Sequence, residues 1–277
     1  MSQIPSDALD FPDSDRKFLE PHLPPRNGEI KSPNLPFTTV TFAMSLDASL
    51  AISPGVRTVL SGPQSKAMTH YLRSRHDAIL IGVGTALADD PGLNCRIEGV
   101  GGYGGESLQG QPRPIIIDPS ARWEFTEEAK ILKLVNEGRG RAPYIVTGKH
   151  SPPVKQKEIL EEHGGKYLTM DITTTEAGAH RFDWTVLLER LKKEGLNSVM
   201  IEGGAVIINS LLDPSSQALI DSVIITIAPT WLGRGGVVVS PERRYDSGGN
   251  SIPVSRLSDV KWYPFGEDVV LCGKIKH

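Results

Sequence analysis

Three groups of residues in this chain have the types and spacing to do chemistry. The first lies between Ile79 and Arg96. An apolar run, Ala78 to Ile81, has the length of a strand buried on both faces, and Gly82, Gly84, Thr85, Asp89, Asp90 and Arg96 follow it. Glycines at a strand end let the backbone approach a ligand, and loops at the carboxyl ends of strands are where α/β proteins bind theirs. The second group is Ile201-Glu202-Gly203-Gly204-Ala205. Here a strand end, two glycines and a helix start present free N–H groups, which suit a phosphate or diphosphate. Glu202 at the end of a buried strand needs a partner, and ligand N–H groups would supply one. The third group is Arg57, Arg73 and Arg96. They come from three elements that one sheet would bring to the same edge, and guanidinium forks suit phosphate monoesters. Each group also has a plain structural explanation: an Asp-Asp-Pro-Gly turn, a strand-to-helix turn, and solvated surface arginines.

Covalent and metal chemistry lack candidates. The seven histidines show no H-E-x-x-H or His-x-His spacing, no G-x-S-x-G elbow or P-loop occurs, and the Gly203-Gly204 turn is not a G-x-G-x-x-G fingerprint. Cys95 and Cys272 lie outside C-x-x-C contexts. No metal site is therefore expected, and a bound cofactor would have to perform the hard step on a phosphorylated substrate. The 277 residues are 39% apolar and 23% charged, with a formal charge of −3. That balance offers no basic field for nucleic acid or an anionic membrane. No run approaches a membrane span and no apolar signal region opens the chain, so a reducing, cytoplasmic compartment is expected.

The elements that must position these groups follow from pattern. Residues 1–35 are proline-rich and read as an extended arm, loose or laid along the body, with a short helix around Asp15–Leu19. Strands are expected at Pro36–Asp47, Ala78–Ile81, Arg113–Asp118, Tyr144–Thr147, Lys166–Thr169, Ser198–Ile201, Asp221–Pro229 and Asp268–Ile275. A helix opening at Ser61-Gly62-Pro63, with Ser61 as its cap, places Met68, Tyr71 and Leu72 on one face. Further helices are expected over Thr126–Asn136 and Lys155–His163, after an Asp183 cap, and from Ala205. The five glycines between Gly99 and Gln111 suggest a flexible surface excursion, and Gly233–Gly249 a loop. Alternating strands and helices predict an α/β protein: a mostly parallel sheet covered on both faces, with an antiparallel edge where the last two strands meet. The simplest partition is the arm, 1–35, and a single domain, 36–277.

Five segments in this order resemble a known family. They are Thr41–Asp47 (T-F-A-M-S-L-D), Tyr71-Leu72-Arg73, Gly82–Pro91 (G-V-G-T-A-L-A-D-D-P), Arg113–Asp118 (R-P-I-I-I-D) and Ile201–Gly204 (I-E-G-G). Together they are similar to the reductases of riboflavin biosynthesis, above all the stand-alone fungal type, over residues 36–277. The T-x-x-x-D-D-P-x-L-x-x-R run from Thr85 to Arg96 is the most specific part. The resemblance implies a three-layer dihydrofolate-reductase-like fold, a homodimer, and NADPH as cofactor. It implies reduction of the ribosyl side chain of a pyrimidine 5′-phosphate to ribityl. By position in the motifs, Ala43, Thr85, Asp89, Gly203, Gly204, Ala205 and Val206 would contact NADPH. Arg57, Arg73, Leu93, Arg96 and Glu202 would hold the substrate. Asp47 and Glu202 are the candidate catalytic residues, and Ser120 and Lys149 candidates for the 2′-phosphate end of the cofactor. The H-x-E…P-C-x-x-C signature of the zinc deaminase often fused to bacterial relatives is absent. Two other readings stay open at this point: a dihydrofolate-reductase-type enzyme, and a non-catalytic nucleotide-binding regulatory domain on the same scaffold.

Overall fold

Apolar runs that alternate between two buried faces build the centre of the molecule. In the computed structural model, which describes residues 4–26, 32–174 and 180–276, the strands in chain order are β1 (Phe37–Met44), β2 (Ser49–Ala51), β3 (Ala78–Gly82), β4 (Arg113–Ile117), β5 (Tyr144–Thr147), β6 (Lys166–Thr169), β7 (Thr173–Thr174), β8 (His180–Arg181), β9 (Ser198–Ile201), β10 (Ser222–Ile227), β11 (Val237–Val238), β12 (Arg244–Tyr245), β13 (Ser251–Ile252), β14 (Leu257–Phe265) and β15 (Asp268–Ile275). The helices are α1 (Asp13–Arg16), α2 (Pro63–Ser74), α3 (Val83–Asp89), α4 (Lys130–Asn136), α5 (Val154–Glu162), α6 (Trp184–Lys193) and α7 (Ala205–Leu211). Among the described residues, one nine-stranded sheet runs in the order β14-β15-β10-β1-β9-β3-β4-β5-β6. From β10 to β6 every pairing is parallel, and β15 and β14 add antiparallel at one edge.

The period of two sorts the core into layers. Ala78, Leu80, Ile115, Ile117, Val199 and Ile201 face α6 and α7, where they meet Leu187, Leu188, Leu191, Ile207, Ile208 and Leu211. Their neighbours face the other way. Met200 packs with Met68, Tyr71 and Leu72 of α2, while Ile79, Ile81, Ile116 and Ile145 pack under α4 and α5. The sheet is thus covered on both faces, and no helix among the described residues is long and apolar enough to cross a membrane.

The arm is laid along the body. Phe11, Leu19 and Leu23 are buried against α2, Phe265 and Val270. Phe18 stacks on Tyr263 with ring centroids 4.0 Å apart. The helix of the arm is α1, followed by a single 3-10 turn at Glu20–His22, a little earlier than its pattern suggests. Residues 1–3 and 27–31 of the arm lie outside the described residues.

Two local expectations are corrected, and two elements that the pattern did not indicate are added. Ser61 does not cap α2. The N-cap is Gly62, and the buried Asp268 carboxylate of β15 accepts its N–H at 2.9 Å and the Ser65 hydroxyl at 2.6 Å. A carboxylate brought in by tertiary structure performs the capping that a neighbouring serine would otherwise perform. The Thr85–Asp89 segment is helical (α3), ending at Asp90 in the left-handed region with φ 40°. The 99–111 excursion is packed rather than loose: Tyr103 is fully buried, and a Cβ on Gly101 would lie 2.6 Å from the Ser107 carbonyl oxygen. Its glycines permit close packing, not mobility. Strand β14 escaped the pattern because its residues Asp259, Val260, Lys261 and Trp262 are exposed along a sheet edge.

His76 locks α2 to β1. Its Nδ1 donates to the Leu72 carbonyl at 2.7 Å, leaving Nε2 to accept the Thr39 hydroxyl at 2.8 Å. Only the neutral ring can do both. Burial pushes its pKa from 6.5 down to about 4. The unfolded chain therefore takes up this proton first, so the stabilisation is complete above about pH 6.5 and is lost as pH falls toward 4. Unfolding free energy is expected to drop by about 1.4 kcal/mol per pH unit from this residue across that window. His76→Gln should start from a lower plateau and show a flatter acid limb in urea unfolding.

Candidate active site

The carboxyl ends of β1, β9, β3 and β4 open into one cleft of about 1030 Å³. Its floor follows the strand order. Phe42 and Ala43 come from β1, Glu202, Gly203 and Gly204 from the turn after β9, Gly82 to Thr85 from the start of α3, and Ile117 and Pro119 from the end of β4. Register aligns these ends, since Ile201 pairs with Val40 on one side and Leu80 on the other, and Gly82 pairs with Ile117.

The turn after β9 is built for close approach. A Cβ on Gly203 would lie 2.6 Å from Ile207 Cβ, so the glycine lets α7 start directly beneath the turn. A Cβ on Gly204 would reach 3.5 Å from Thr85 Oγ1, which shows how narrowly α3 and the turn face one another. The first amides of α7 have no acceptor within the helix, and Gly204, Ala205 and Val206 all line the cleft.

Glu202 already has a partner inside the protein. Arg73, from the last turn of α2, donates Nε to Oε1 at 3.0 Å and Nη2 to Oε2 at 2.8 Å, and its Nη1 donates to the Asn94 carbonyl at 3.1 Å. The two side chains are only 14% and 18% exposed. This fork fixes the carboxylate at the cleft wall as an acceptor with its charge balanced. It also changes the reason for Glu202's presence, because a side chain, not a ligand, satisfies it first.

The cleft gathers Ala43, Arg57, Thr85, Asp89, Glu202, Gly203, Gly204, Ala205 and Val206. It does not gather Asp47, Arg73, Leu93 or Arg96 along its lining. Asp47 accepts the Leu232 and Gly233 amides at 3.2 and 2.7 Å and the Ser45 hydroxyl. The Ser45 hydroxyl and these amides hold it below the usual carboxylate range. At neutral pH it is a loop clamp with no proton to give. Leu93 is buried in the apolar layer under α4. Arg96 donates to the Asp7 carbonyl at 3.2 Å and pairs with the Asp7 carboxylate at 3.5 Å, so the arm holds it behind the cleft. Its backbone N–H donates to Nδ1 of His70, which is neutral because burial and the nearby Arg73 and Arg96 push its pKa down to about 2. Ser120 and Lys149 are likewise off the lining, whereas Arg122, two residues beyond Ser120, is on it. Arg122, Thr69 and Arg181 are among the cleft side chains that motif reading passed over. For Arg122 the signal was its place just past a strand end; for Thr69 there was none beyond its helix.

Similarity decides the family. Residues 36–271 match the family model described as the RibD C-terminal domain. The chain belongs to the RibD C-terminal domain family. Among relatives, it is 43% identical over 259 residues to the 2,5-diamino-6-ribosylamino-4(3H)-pyrimidinone 5′-phosphate reductase of Eremothecium gossypii, covering 93% of this chain and 95% of that one. The enzyme of the same name from Saccharomyces cerevisiae is 40% identical, with 94% of each chain covered. The solved structure of the Saccharomyces cerevisiae riboflavin biosynthesis reductase Rib7 superimposes with a TM-score of 0.73 at 37% identity, over 94% of this chain and 99% of that one. Acinetobacter baumannii RibD shares the fold at a TM-score of 0.66 and 23% identity. The architecture of this family member is dihydrofolate-reductase-like, with helices on both faces of a mostly parallel sheet.

Because Arg73 and Glu202 lose a mostly buried partner when either is truncated, Arg73→Ala is expected to cost roughly 3 kcal/mol of stability. Combining it with Glu202→Gln should cost less than the sum of the single changes by about 1 kcal/mol or more. Urea unfolding of the four proteins in the cycle checks this.

Proposed function

We propose that this chain reduces the ribosyl side chain of 2,5-diamino-6-ribosylamino-4(3H)-pyrimidinone 5′-phosphate to ribityl, using NADPH, as an early step of riboflavin biosynthesis. The observation that carries the reading is the single cleft in which the Gly203-Gly204 turn, Thr85, Arg57 and Glu202 meet, in a chain similar over nearly its whole length to reductases of that name. The residues fit a dinucleotide: a glycine cradle that any Cβ would fill, unsatisfied amides at the start of α7, and Thr85 across from them. When bound, NADPH supplies the hydride that reduces C1′ of the opened sugar.

Everything else falls to this chain's residues. Gly204, Ala205 and Val206 would take the diphosphate on their backbone N–H groups, with Ala43, Thr85, Asp89 and Gly203 against the rest of the cofactor. Glu202, held in the Arg73 fork, would accept hydrogen bonds from the amino-pyrimidine. Arg57 lines the cleft without an ion-pair partner among the described residues and would meet the substrate phosphate. Arg73 acts by orienting Glu202. Leu93 and Arg96 support the wall from behind. Thr85 lines the cleft and Asp47 does not, so a hydroxyl such as that of Thr85 would relay the proton in place of Asp47. We extend the reading to a homodimer, and to a reducing, cytoplasmic compartment, which agrees with two free, buried cysteines.

Mixing the protein with NADPH and the pyrimidine phosphate should give oxidation that requires both. Binding of NADPH without oxidation would favour the regulatory reading, and turnover of dihydrofolate in place of the pyrimidine would favour the other reductase. Gly204→Val is expected to abolish NADPH binding while leaving the thermal transition nearly unchanged, because its Cβ meets only Thr85 Oγ1 at 3.5 Å. Arg57→Ala is expected to raise the KM for the substrate about tenfold or more with little change for NADPH. Equal losses for both would remove Arg57 from the substrate.

A further inference from the structure

A carboxylate of the arm stands at the head of a chain of hydrogen bonds that ends in the cleft. Backbone contacts hold Asp7 in place. The Leu9 N–H donates to the Arg96 carbonyl at 2.8 Å, and the Glu98 N–H donates to the Leu9 carbonyl at 3.0 Å. This bridge beside Ile97 sets the Asp7 carboxylate between two arginines. Its Oδ2 lies 3.5 Å from Nη1 of Arg96, and its Oδ1 accepts from Nη2 of Arg139.

The second arginine leads inward. The Nη2 of Arg139 that meets Asp7 also donates to the Tyr103 hydroxyl at 2.6 Å, which uses both of its hydrogens, while Glu137 takes Nη1 at 2.8 Å. Tyr103 is fully buried, and its ring centre lies 4.7 Å from the guanidinium carbon. Gly102 makes that approach possible: at φ 77°, a Cβ on it would lie 2.6 Å from the Gly138 carbonyl oxygen. The Tyr103 hydroxyl also accepts Nδ2 of Asn94 at 3.0 Å, and the same Nδ2 donates to the Arg139 carbonyl at 3.0 Å. Asn94 in turn offers its own carbonyl to Nη1 of Arg73 at 3.1 Å, and Arg73 forks Glu202.

Asn94 is the link that needs outside support. Leu93, just before it, is a buried branched residue held in the left-handed region at φ 51°. Such a backbone persists only where its surroundings hold it. The Asn94 side chain supplies part of that hold through Tyr103 and Arg139, and Asp7 orients Arg139. Relaxing Leu93 and Asn94 would carry away the carbonyl that anchors the third nitrogen of Arg73. The fork would then be free to pivot, and the Glu202 carboxylate with it.

We infer that Asp7 is a positioning residue for the pyrimidine substrate: acting through Arg139, Tyr103, Asn94 and Arg73, it fixes the direction of the Glu202 carboxylate. The inference rests on the reading of Glu202 as the acceptor for the amino-pyrimidine, and the test separates the two. The amides of α7 take no part in this chain of bonds, so cofactor affinity should not follow it. Calorimetry measures binding of the pyrimidine 5′-phosphate with NADP+ present, so that nothing turns over, and binding of NADPH alone. The proteins are wild type, Asp7→Asn, Asp7→Glu, Tyr103→Phe, Glu202→Gln and the double variant Asp7→Asn with Glu202→Gln. Asp7→Asn keeps the size of the side chain and should weaken the pyrimidine phosphate about tenfold, with NADPH within about twofold of wild type. Tyr103→Phe, which breaks the chain at its middle, should do the same, and Asp7→Glu should recover part of the loss. In the Glu202→Gln background, Asp7→Asn should add almost nothing, because the group it positions is gone. A general loosening of the fold would instead weaken both ligands and add equally in both backgrounds. That result, or wild-type binding by Asp7→Asn, overturns the role of Asp7 and leaves that of Glu202 standing. Full pyrimidine affinity in Glu202→Gln overturns the reading of Glu202, and this inference with it.

Discussion

The ion pair between Arg73 and Glu202 is the constraint on which the site depends. A carboxylate at the end of a strand with no exposed residue is tolerable only with its charge matched. Arg73 matches it with a two-point fork and spends its remaining nitrogen on the Asn94 carbonyl. One guanidinium thereby ties together α2, the end of β9 and the loop after α3. Such a pair contributes little net stability over an apolar substitute, but it sets geometry, because neither partner can move without leaving the other buried and unmatched. That geometry presents Glu202 to the cleft as a fixed acceptor beside the glycine turn.

For this pair to hold, α2 has to be held, and three distant pieces of chain do so. Asp268 of β15 caps its first turn. His76, just past its end, bridges to Thr39 of β1. The arm covers its outer face, where Glu20 accepts from Arg75 at 2.6 Å and from the Tyr71 hydroxyl, and Phe11 packs 5.1 Å from the Tyr71 ring. Burial alone would raise the Glu20 pKa, yet the donors around it win and lower it, so the contact is ionic at neutral pH. The family model begins at residue 36, but the packing of α2 relies on residues before it.

The second organising feature is the alignment of parallel strand ends. Parallel register puts four strand termini side by side, and each delivers a different function: an apolar wall, an acceptor with a glycine cradle, a hydroxyl-bearing helix start, and a basic turn. Order along the sheet, which sequence order does not reveal, converts these into a linear binding surface. It is the reason Glu202 and Thr85, far apart in the chain, lie on facing walls.

Much of this was legible in the residues. The strands Tyr144–Thr147, Lys166–Thr169, Ser198–Ile201 and Asp268–Ile275 begin and end where their apolar, β-branched runs do, and Asp183 caps α6 by accepting the Val186 amide at 3.0 Å. The two glycine-bearing strand ends were readable as cleft residues because close backbone approach demands glycine whatever the surroundings. What the residues could not disclose were the choices made between distant groups. Arg73, Arg96 and Arg122 are chemically alike. Only tertiary structure hands the first to Glu202 and the second to Asp7, and leaves the third facing the cleft. It also hands Asp47 to the amides of Leu232 and Gly233, and gives the capping of α2 to Asp268 in place of Ser61. Periodicity and backbone demands are local and are written into neighbouring residues. The pairing of a charge is decided by whichever opposite charge or dipole the fold brings within about 3 Å, and that proximity exists only once the chain has folded.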